Sequence, residues 1–503
     1  MTAAGMTARV SSLVTQAIVA FFLTKEQIGV YATAQGVLGI TAIMRAGGVF
    51  TYLPTMQPEE FSREGRRLFA WAATCLFTGG AITAVSAQFA STHYQQPILA
   101  TVLYILAVRN AASAFSIFAR ARMVVHLRFS ELAKLDMTVA VLKPILVTVV
   151  AWNLSGTYYA PLTMVVPFCF GTLADIVWCV PRSGLSWKEL RPDFGRLWET
   201  AYELRWSLTL ALLISLGSDV SLAIISFFAQ ATVVGVFYFA YQLSMQPLNM
   251  FSNAFSSVMA PTVARERGDR ARENEVLNRV FSGAMLFAPL ITFGAAAVFP
   301  AVEELIYRGR WAAASLPLTF LSVGFCFVVV CGLMTGPLLG MRRFRKLAAF
   351  EGMRASGVIG GSLLGLAVIH LFNVNKEGAA APAIVAAGAG FFLALLASTQ
   401  VWMIMRDCAM NRLEILRNLL FGPSLAGLCA VASVSLGNSI MNSLPPGMLG
   451  GTAADALRLV LVTGSYGLIA LAALRFVAEG TLRRTIEVLP PKAAKVLNRA
   501  LAF

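Results

Sequence analysis

Four basic side chains lie inside long apolar stretches of this 503-residue chain, where an ionised group is costly to bury. They are Arg45, Arg109, Lys143 and Arg354. A guanidinium group binds phosphate oxygens through paired hydrogen bonds, and an ammonium group binds them as a compact charge. The four residues are therefore candidates for binding an anionic ligand. For Lys143 and Arg354, extension to the lipid headgroups or pairing with Asp136 and Glu351 is the alternative. Extension to the headgroups or structural pairing is also the alternative for Arg45 and Arg109.

Polar side chains recur at helical spacing in two other places. The first set is Arg109, Ser113, Ser116 and Arg120, and the second is Gln242, Gln246, Asn249 and Asn253. Both sets have spacings of 4, 3 and 4, which place each set on one face of a helix. Amides donate and accept hydrogen bonds, so the second stripe suits ligand hydroxyl groups, and the nearby Tyr238 and Tyr241 suit flat ring faces. Hydrogen bonding between helices is the alternative for this stripe.

Asp219 is the acidic residue nearest the middle of an apolar stretch. Its carboxylate suits binding of a coupling cation or proton, and a structural ion pair with one of the arginines is the alternative.

The composition indicates which elements must position these residues. Hydrophobic residues make up 57% of the chain and charged residues only 13%, whereas soluble domains carry about 25% charged residues. The net charge of +15 does not indicate nucleic-acid binding, because the basic residues border apolar stretches and suit anionic lipid headgroups. The chain therefore reads as an all-α polytopic membrane protein with about 14 transmembrane helices of roughly 20 residues each. The predicted spans are 6–23, 28–53, 68–89, 97–119, 135–153, 161–181, 206–228, 233–258, 280–300, 313–340, 348–371, 379–405, 418–440 and 456–476.

The basic residues also predict the orientation. Of the 40 Lys and Arg residues, the gaps that follow odd-numbered spans contain only Lys25, Arg308, Arg310 and Lys376. Short loops rich in Lys and Arg stay in the cytoplasm, so both termini are expected on the cytoplasmic side.

An internal repeat relates two of the predicted hairpins. Residues 21–31 match residues 227–237 at a constant offset of 206, and chance similarity between two apolar hairpins is the alternative. Because six spans separate the copies, they predict two six-helix lobes related by a parallel pseudo-two-fold axis. The predicted divisions are an N-lobe at 1–181, an interfacial linker at 182–205, a C-lobe at 206–405, and a C-terminal span pair with a basic tail at 406–503.

The second copy of the repeat carries a family resemblance. Ser218-Asp219-Val220, Gly235-Val236-Phe237-Tyr238, Gln246-Pro247-Leu248-Asn249 and Ala260-Pro261-Thr262-Val263-Ala264-Arg265 resemble the seventh and eighth spans of Wzx-type polysaccharide flippases. Gly29-Val30-Tyr31 and Leu305-Ile306-Tyr307, followed by Arg310-Trp311 and Pro317, fit the same pattern. These flippases belong to the superfamily that also contains lipid II flippases and multidrug and toxic compound exporters.

The resemblance implies a function for the candidate residues. It implies a bacterial inner-membrane protein that moves an undecaprenyl-diphosphate-linked oligosaccharide from the inner to the outer leaflet by alternating access. The four buried cations would then bind the diphosphate, and the amide stripe with its two tyrosines would bind sugars. The expected partners are the lipid-linked oligosaccharide and membrane lipid, with polysaccharide polymerase or export proteins left open. No cofactor and no nucleic acid are expected, and coupling to H⁺ or Na⁺ is left open.

Two other functions fit the same architecture. A multidrug exporter expels organic cations, for which acidic residues in the first lobe would be expected, but basic residues predominate there. A membrane glycosyltransferase or polymerase would need catalytic carboxylates or a metal-binding motif, normally on a sizeable loop. The outer-face loops contain only Glu26, Glu303, Glu304, Glu377 and Asp455 as acidic residues. The sequence therefore favours a transporter over an enzyme.

Overall fold

The computed structural model describes residues 2–41, 49, 58–126, 128–184, 193–245, 270–340, 344–375, 378, 380–407, 412–443 and 451–476. Within these ranges the regular structure is entirely helical, which confirms the predicted all-α class.

Fifteen helices occupy the described ranges. The first seven are α1 (Thr2–Phe22), α2 (Lys25–Ile40), α3 (Pro58–His93), α4 (Pro97–Val125), α5 (Phe129–Leu154), α6 (Leu162–Arg182) and α7 (Leu197–Glu203). The next helix, α8 (Arg205–Phe228), contains a π-helical turn at Leu216–Val220, and α9 is Ala231–Met245. The last six are α10 (Arg270–Val302), α11 (Ser315–Gly340), α12 (Phe344–Leu371), α13 (Ala380–Asp407), α14 (Arg412–Ser443) and α15 (Gly451–Phe476).

Eleven segments of the described helices are long and apolar enough to cross a membrane. They coincide with predicted spans three to seven and nine to fourteen. Predicted span one falls on α1, whose apolar part is Val10–Phe22, and the described parts of predicted spans two and eight fall on Lys25–Ile40 and Ala231–Met245. The chain is therefore a multi-pass membrane protein, and the total of 14 spans stays a prediction.

The chain forms two compact units. The first comprises Met1–Tyr238 and Phe344–Ile359, and the second comprises Phe239–Arg343 and Gly360–Phe503. Within the first unit α1 packs on α5, α3 packs on α4, and α6 packs on both α4 and α5. Within the second unit α10 packs on α11, and the C-terminal pair α14 and α15 packs on α10. The predicted lobe boundaries stay a prediction.

Helix α2 is central to the first unit, and its sequence explains both its start and its packing. Thr24 and Gln27 form a reciprocal capping box that satisfies backbone N–H groups at the helix start. Gly36 and Gly39 allow close contact with α8, since a Cβ at position 39 would lie 2.5 Å from the Cβ of Asp219. The small residues therefore bring α2 directly against the π-helical turn of α8.

Helix α2 also crosses α9 through a reciprocal pair of glycines. A Cβ at Gly29 would collide with the carbonyl oxygen of Ala231, and a Cβ at Gly235 would collide with the carbonyl oxygen of Lys25. Only glycine permits this backbone-to-backbone contact.

Candidate functional site

Tyr31 lies on the inner side of α2 and is 1% exposed. Its hydroxyl group accepts a hydrogen bond of 2.8 Å from Nε2 of Gln35, one turn along the helix. This bond satisfies the polar end of a large aromatic side chain that is otherwise buried. The hydrogen bond therefore holds the phenol end of the ring beside Gln35.

Arg109 lies near the middle of α4 and is held by α6. Its Nε donates a hydrogen bond of 3.0 Å to Oγ1 of Thr172. Oγ1 of Thr172 lies 3.0 Å from the carbonyl oxygen of Phe168, to which the hydroxyl donates. Because the threonine donates to its own helix and accepts from the arginine, it holds the guanidinium group against α6.

Side chains from three other helices contact the ring of Phe168, which belongs to α6. The Cζ atom of Arg109 lies 5.6 Å from the ring centroid, and Nζ of Lys143, which α5 contributes, lies 5.9 Å from it. Tyr31 stacks on the same ring, with 6.3 Å between centroids and 22° between planes. Both cations are within the range of cation–π attraction, so the ring of Phe168 contacts one cation from each of two helices. The ring is 40% exposed, which leaves part of it accessible.

Tyr238 and Asp219 complete the arrangement. The ring of Tyr238 meets Tyr31 edge to face, with 6.0 Å between centroids. Asp219 and Arg109 both interact electrostatically with the phenol of Tyr31. Asp219 lies in the π-helical turn of α8, a rare feature that occurs frequently at functional sites.

We call these seven residues the cation–aromatic cluster: Tyr31, Arg109, Lys143, Phe168, Thr172, Asp219 and Tyr238. With all groups ionised, it contains two cations and one carboxylate and has a net charge of +1. The cluster can bind an anion through Arg109 and Lys143 and can pack flat rings against its aromatic side chains.

An apolar groove of about 820 Å³ adjoins the cluster. Its walls are side chains of α4, α5 and α6, including Val108, Leu146, Val165 and Leu173. Arg109 and Thr172 also line it, so the arginine of the cluster borders a space suited to a hydrocarbon chain.

Two basic residues that the sequence indicated as polar site residues, Arg354 and Arg120, form ion pairs outside the cation–aromatic cluster. Arg354 forms an ion pair of 2.8 Å with Glu351 on α12, which is the alternative considered for it from the sequence. Arg120 donates hydrogen bonds of 2.7 Å to Asp136 and to Asp175, and thereby joins α4, α5 and α6. Asp136 therefore pairs with Arg120 rather than with Lys143.

The structure places the other residues of the two polar stripes, and Tyr241, in different surroundings. The hydroxyl groups of Ser113 and Ser116 donate to carbonyl oxygens of their own helix. Tyr241 packs edge to face on Phe325 within the second unit, and Gln242 is half-buried on α9. Arg45, Gln246, Asn249 and Asn253 lie outside the described residues, so their predicted roles stay predictions.

Phe168 and Thr172 were not predicted from the sequence to be site residues. Phe168, Thr172 and Asp175 follow the spacing i, i+4 and i+7, which places them on one face of α6. A hydroxyl and a carboxylate aligned in this way within an apolar span are a signal that this face contacts polar groups of other helices.

Comparison with known proteins places the chain in a family and identifies its fold. A family model described as "Polysaccharide biosynthesis protein" matches residues 18–316, which is more than half of the chain. A search of the curated proteins found no match.

Two solved structures are similar to the chain over most of its length. A lipid II flippase, MurJ, in an inward closed conformation matches with a TM-score of 0.66 and 11% identity, over 94% of this chain and 98% of that chain. An inward-facing multidrug resistance transporter of the MATE family, described as a member of the MOP superfamily, matches with a TM-score of 0.55 and 14% identity. That match covers 80% of this chain and 95% of the transporter. Both similarities concern the fold.

Proposed function

We propose a transport function from one premise: the chain belongs to the polysaccharide biosynthesis protein family. The family match confirms the resemblance to polysaccharide flippases drawn from the sequence. We infer that the protein moves an undecaprenyl-diphosphate-linked oligosaccharide repeat unit from the inner to the outer leaflet of the bacterial inner membrane, for exopolysaccharide export. The observation that carries this inference is the convergence of Arg109 and Lys143 on Phe168 within apolar helices.

Electrostatics favours a diphosphate as the group that binds there. Arg109 and Lys143 both contact the ring of Phe168, so a ligand with at least two negative charges could pair with each of them. The attraction is stronger at this depth than in water, because the effective dielectric constant is lower. Thr172 holds Arg109 in place, so little side-chain entropy is lost when phosphate oxygens bind.

The groove beside Arg109 supports a place for the lipid tail. A polyprenyl chain that leaves the lipid for an aqueous cavity would lose the free energy of hydrophobic transfer, about 0.8 kcal/mol for each CH₂ group. In the groove along α4, α5 and α6 the chain would stay in apolar surroundings while its diphosphate contacts Arg109. The head and the tail would therefore each occupy a suitable medium during transport.

The reciprocal glycine contact supports alternating access by two related lobes. Gly29 and Gly235 are 206 residues apart, as are Lys25 and Ala231, so the two contacts obey the offset of the sequence repeat. A two-fold axis produces reciprocal contacts of this kind. We propose that the lobes at 1–181 and 206–405 rock about such an axis, with the linker at 182–205 and both termini in the cytoplasm.

The other predicted residues complete the proposed binding site. Arg45 would provide further positive charge for the diphosphate, and Arg354 would do so only on release from its ion pair with Glu351. Gln242, Gln246, Asn249 and Asn253, together with Tyr238 and Tyr241, would contact the sugars. Asp219 would bind a coupling ion or balance Arg109.

A multidrug exporter is the second candidate function. Tyr31, Phe168, Tyr238 and Asp219 together resemble the aromatic and acidic surroundings that an organic cation prefers. Arg109 and Lys143 would repel an organic cation, because the cluster contains two positive charges and only one carboxylate.

Reconstitution into vesicles separates the candidates. The purified protein would be given a fluorescent lipid-linked oligosaccharide, and its exposure on the far leaflet would be measured with a membrane-impermeant quencher. Flipping without elongation of the sugar chain supports the proposal. Elongation would indicate a polymerase, and transport of organic cations without flipping would indicate a multidrug exporter.

A further inference from the structure

A second cavity, of about 380 Å³, lies in the first unit where three interhelical turns meet. The turns precede α2, α4 and α9, and all three follow odd-numbered spans of the predicted topology. They therefore belong to the predicted outer end of the protein. We refer to this cavity as the turn pocket.

The turn pocket is polar, in contrast to the groove beside Arg109. Seven residues with polar side chains line it: Glu26, Thr33, Tyr94, Gln96, Ser226, Gln230 and Thr232. Its buried floor contains Val30 and Leu99. A set of amides, hydroxyls and one carboxylate supplies both donors and acceptors at close range.

The pocket and the cation–aromatic cluster use opposite faces of α2. Glu26, Val30 and Thr33 line the pocket at the spacing i, i+4 and i+7, so they share one face of the helix. Tyr31 and Gln35 lie on the other face and belong to or support the cluster. The pocket is therefore distinct from the site described above.

Charge excludes most small ligands from the turn pocket. Lys and Arg are absent from its lining, so a phosphate would meet Glu26 without a compensating cation. A divalent cation needs several oxygen ligands, usually more than one carboxylate, and Glu26 is the sole carboxylate of the lining. Burial raises the pKa of Tyr94, so its phenol stays neutral at physiological pH.

We infer that the turn pocket binds neutral sugar residues of a glycan, an inference that rests on the proposed function. Sugar hydroxyls match a lining that alternates donors and acceptors and carries little charge. The volume is near the lower end of the range of ligand pockets, about 300 to 1,000 Å³, which suits a short saccharide.

The existing hydrogen bonds of the pocket are ones that a ligand can replace. Nε2 of Gln96 donates to Oε1 of Glu26 at 3.4 Å, which is long for a hydrogen bond. Ser226 and Tyr94 join their hydroxyl oxygens at 3.2 Å. A sugar hydroxyl inserted between Gln96 and Glu26 would accept from the amide and donate to the carboxylate, so both groups would gain shorter bonds.

The position of the pocket gives a consequence for the transport cycle. Gln230 and Thr232 adjoin Ala231, which Gly29 contacts at the crossing of α2 and α9. A saccharide that touches Glu26 on one wall and Gln230 on the other bridges this crossing. Bound saccharide therefore holds the crossing closed.

Binding of lipid-free saccharide to the full chain in nanodiscs tests the inference. Saturation-transfer NMR would be recorded with neutral gluco- and galacto-configured trisaccharides at millimolar concentrations. We expect transfer to the sugars with the wild type and binding about tenfold weaker with Gln96→Ala/Gln230→Ala, because two hydrogen-bonding amides are lost. Gln88→Ala, at an exposed glutamine of α3 outside the pocket, should leave binding unchanged.

A labelling experiment keeps the test independent of how the double variant folds. A cysteine introduced as Thr232→Cys would react with a maleimide, and saccharide should slow that reaction, whereas Gln88→Cys should show no protection. Absence of saccharide binding to the wild type, equal binding by the double variant, or equal labelling with and without saccharide would overturn the inference. The proposed function would fail separately, through absence of flipping in vesicles.

Discussion

Nε of Arg109 donates a 3.0 Å hydrogen bond to the hydroxyl of Thr172, which lies 63 residues further along the chain. The bond joins the middle of α4 to the middle of α6, within apolar helices. A charged group at this depth is costly unless it is solvated by neighbours. The threonine and the ring of Phe168 supply part of that solvation.

Thr172→Val should lower the rate of flipping by about tenfold, because a hydrogen bond to a charged group contributes about 1.5 to 3 kcal/mol. The valine keeps the volume of the side chain but cannot accept from Arg109. Thr172→Ser should restore most of the rate. Thr148→Val, which removes a half-buried hydroxyl bonded within α5, is the matched control and should be neutral. A Thr172→Val protein as active as this control would remove Thr172 from the site.

Phe168→Ala should weaken binding of the lipid-linked substrate more than Phe168→Tyr does. The alanine removes the ring that both Arg109 and Lys143 contact, and each contact contributes about 0.5 to 2 kcal/mol. Affinity would be measured by native mass spectrometry of the complex. Phe391→Ala, at a highly exposed ring of the second unit, controls for loss of an aromatic residue. Equal affinities of the alanine and tyrosine variants would show that the ring does not organise the cations.

Gly29→Ala should markedly lower the thermal stability, and Gly235→Ala should act in the same way. Each added methyl group would overlap a backbone carbonyl oxygen of the facing helix, so the crossing must open. Gly171→Ala is the matched control, because a Cβ at that position meets no atom within 4 Å. Alanine in a helix is favoured over glycine by about 1 kcal/mol, so the control should be neutral or slightly stabilising. Thermal unfolding in detergent would measure the stability of the three variants. A Gly29→Ala protein as stable as Gly171→Ala would contradict the prediction.

Arg120→Ala should destabilise the first unit more than Asp136→Asn does. Removal of the arginine leaves Asp136 and Asp175 without their shared cation, and loss of one partner of a buried ion pair costs about 3 to 5 kcal/mol. Both carboxylates are partly exposed, at 37% and 21% of the side-chain area, so solvent screening should bring the loss below that range. The folded fraction, measured by size-exclusion chromatography, should follow this order. Similar folded fractions for both variants would indicate that the ion pairs contribute little.

The positions of most helices could be predicted from the sequence. Two cations of the site could also be predicted, but their contacts could not. Arg109 and Lys143 could be identified because a charged residue in an apolar span is rare and needs a reason. Their common partner could not, because Phe168 is one of 34 phenylalanines and an aromatic residue in an apolar span carries no signal of its own. The contact depends on how α4, α5 and α6 pack, which apolar periodicity does not determine.

Asp219 and Arg354 also show which contacts could be predicted from the sequence and which could not. The sequence placed Asp219 near the middle of a span, but it did not predict the π-helical turn that contains Asp219 or its contact with Gly39 of α2. Arg354 was open to a ligand role or a pair with Glu351, and one helical turn of separation was enough to make the pair. Short-range pairs can be read from spacing, whereas pairs between helices depend on packing.

The most direct test of the central claim is flipping by Arg109→Ala/Lys143→Ala in reconstituted vesicles. The control is Arg63→Ala/Lys134→Ala, which removes two exposed cations from α3 and α5 and has the same net charge as the first double variant. We expect Arg109→Ala/Lys143→Ala to insert and fold but to lose flipping of the lipid-linked oligosaccharide, whereas the control variant keeps it. Flipping at the wild-type rate by folded Arg109→Ala/Lys143→Ala would contradict the claim that these two cations bind the diphosphate.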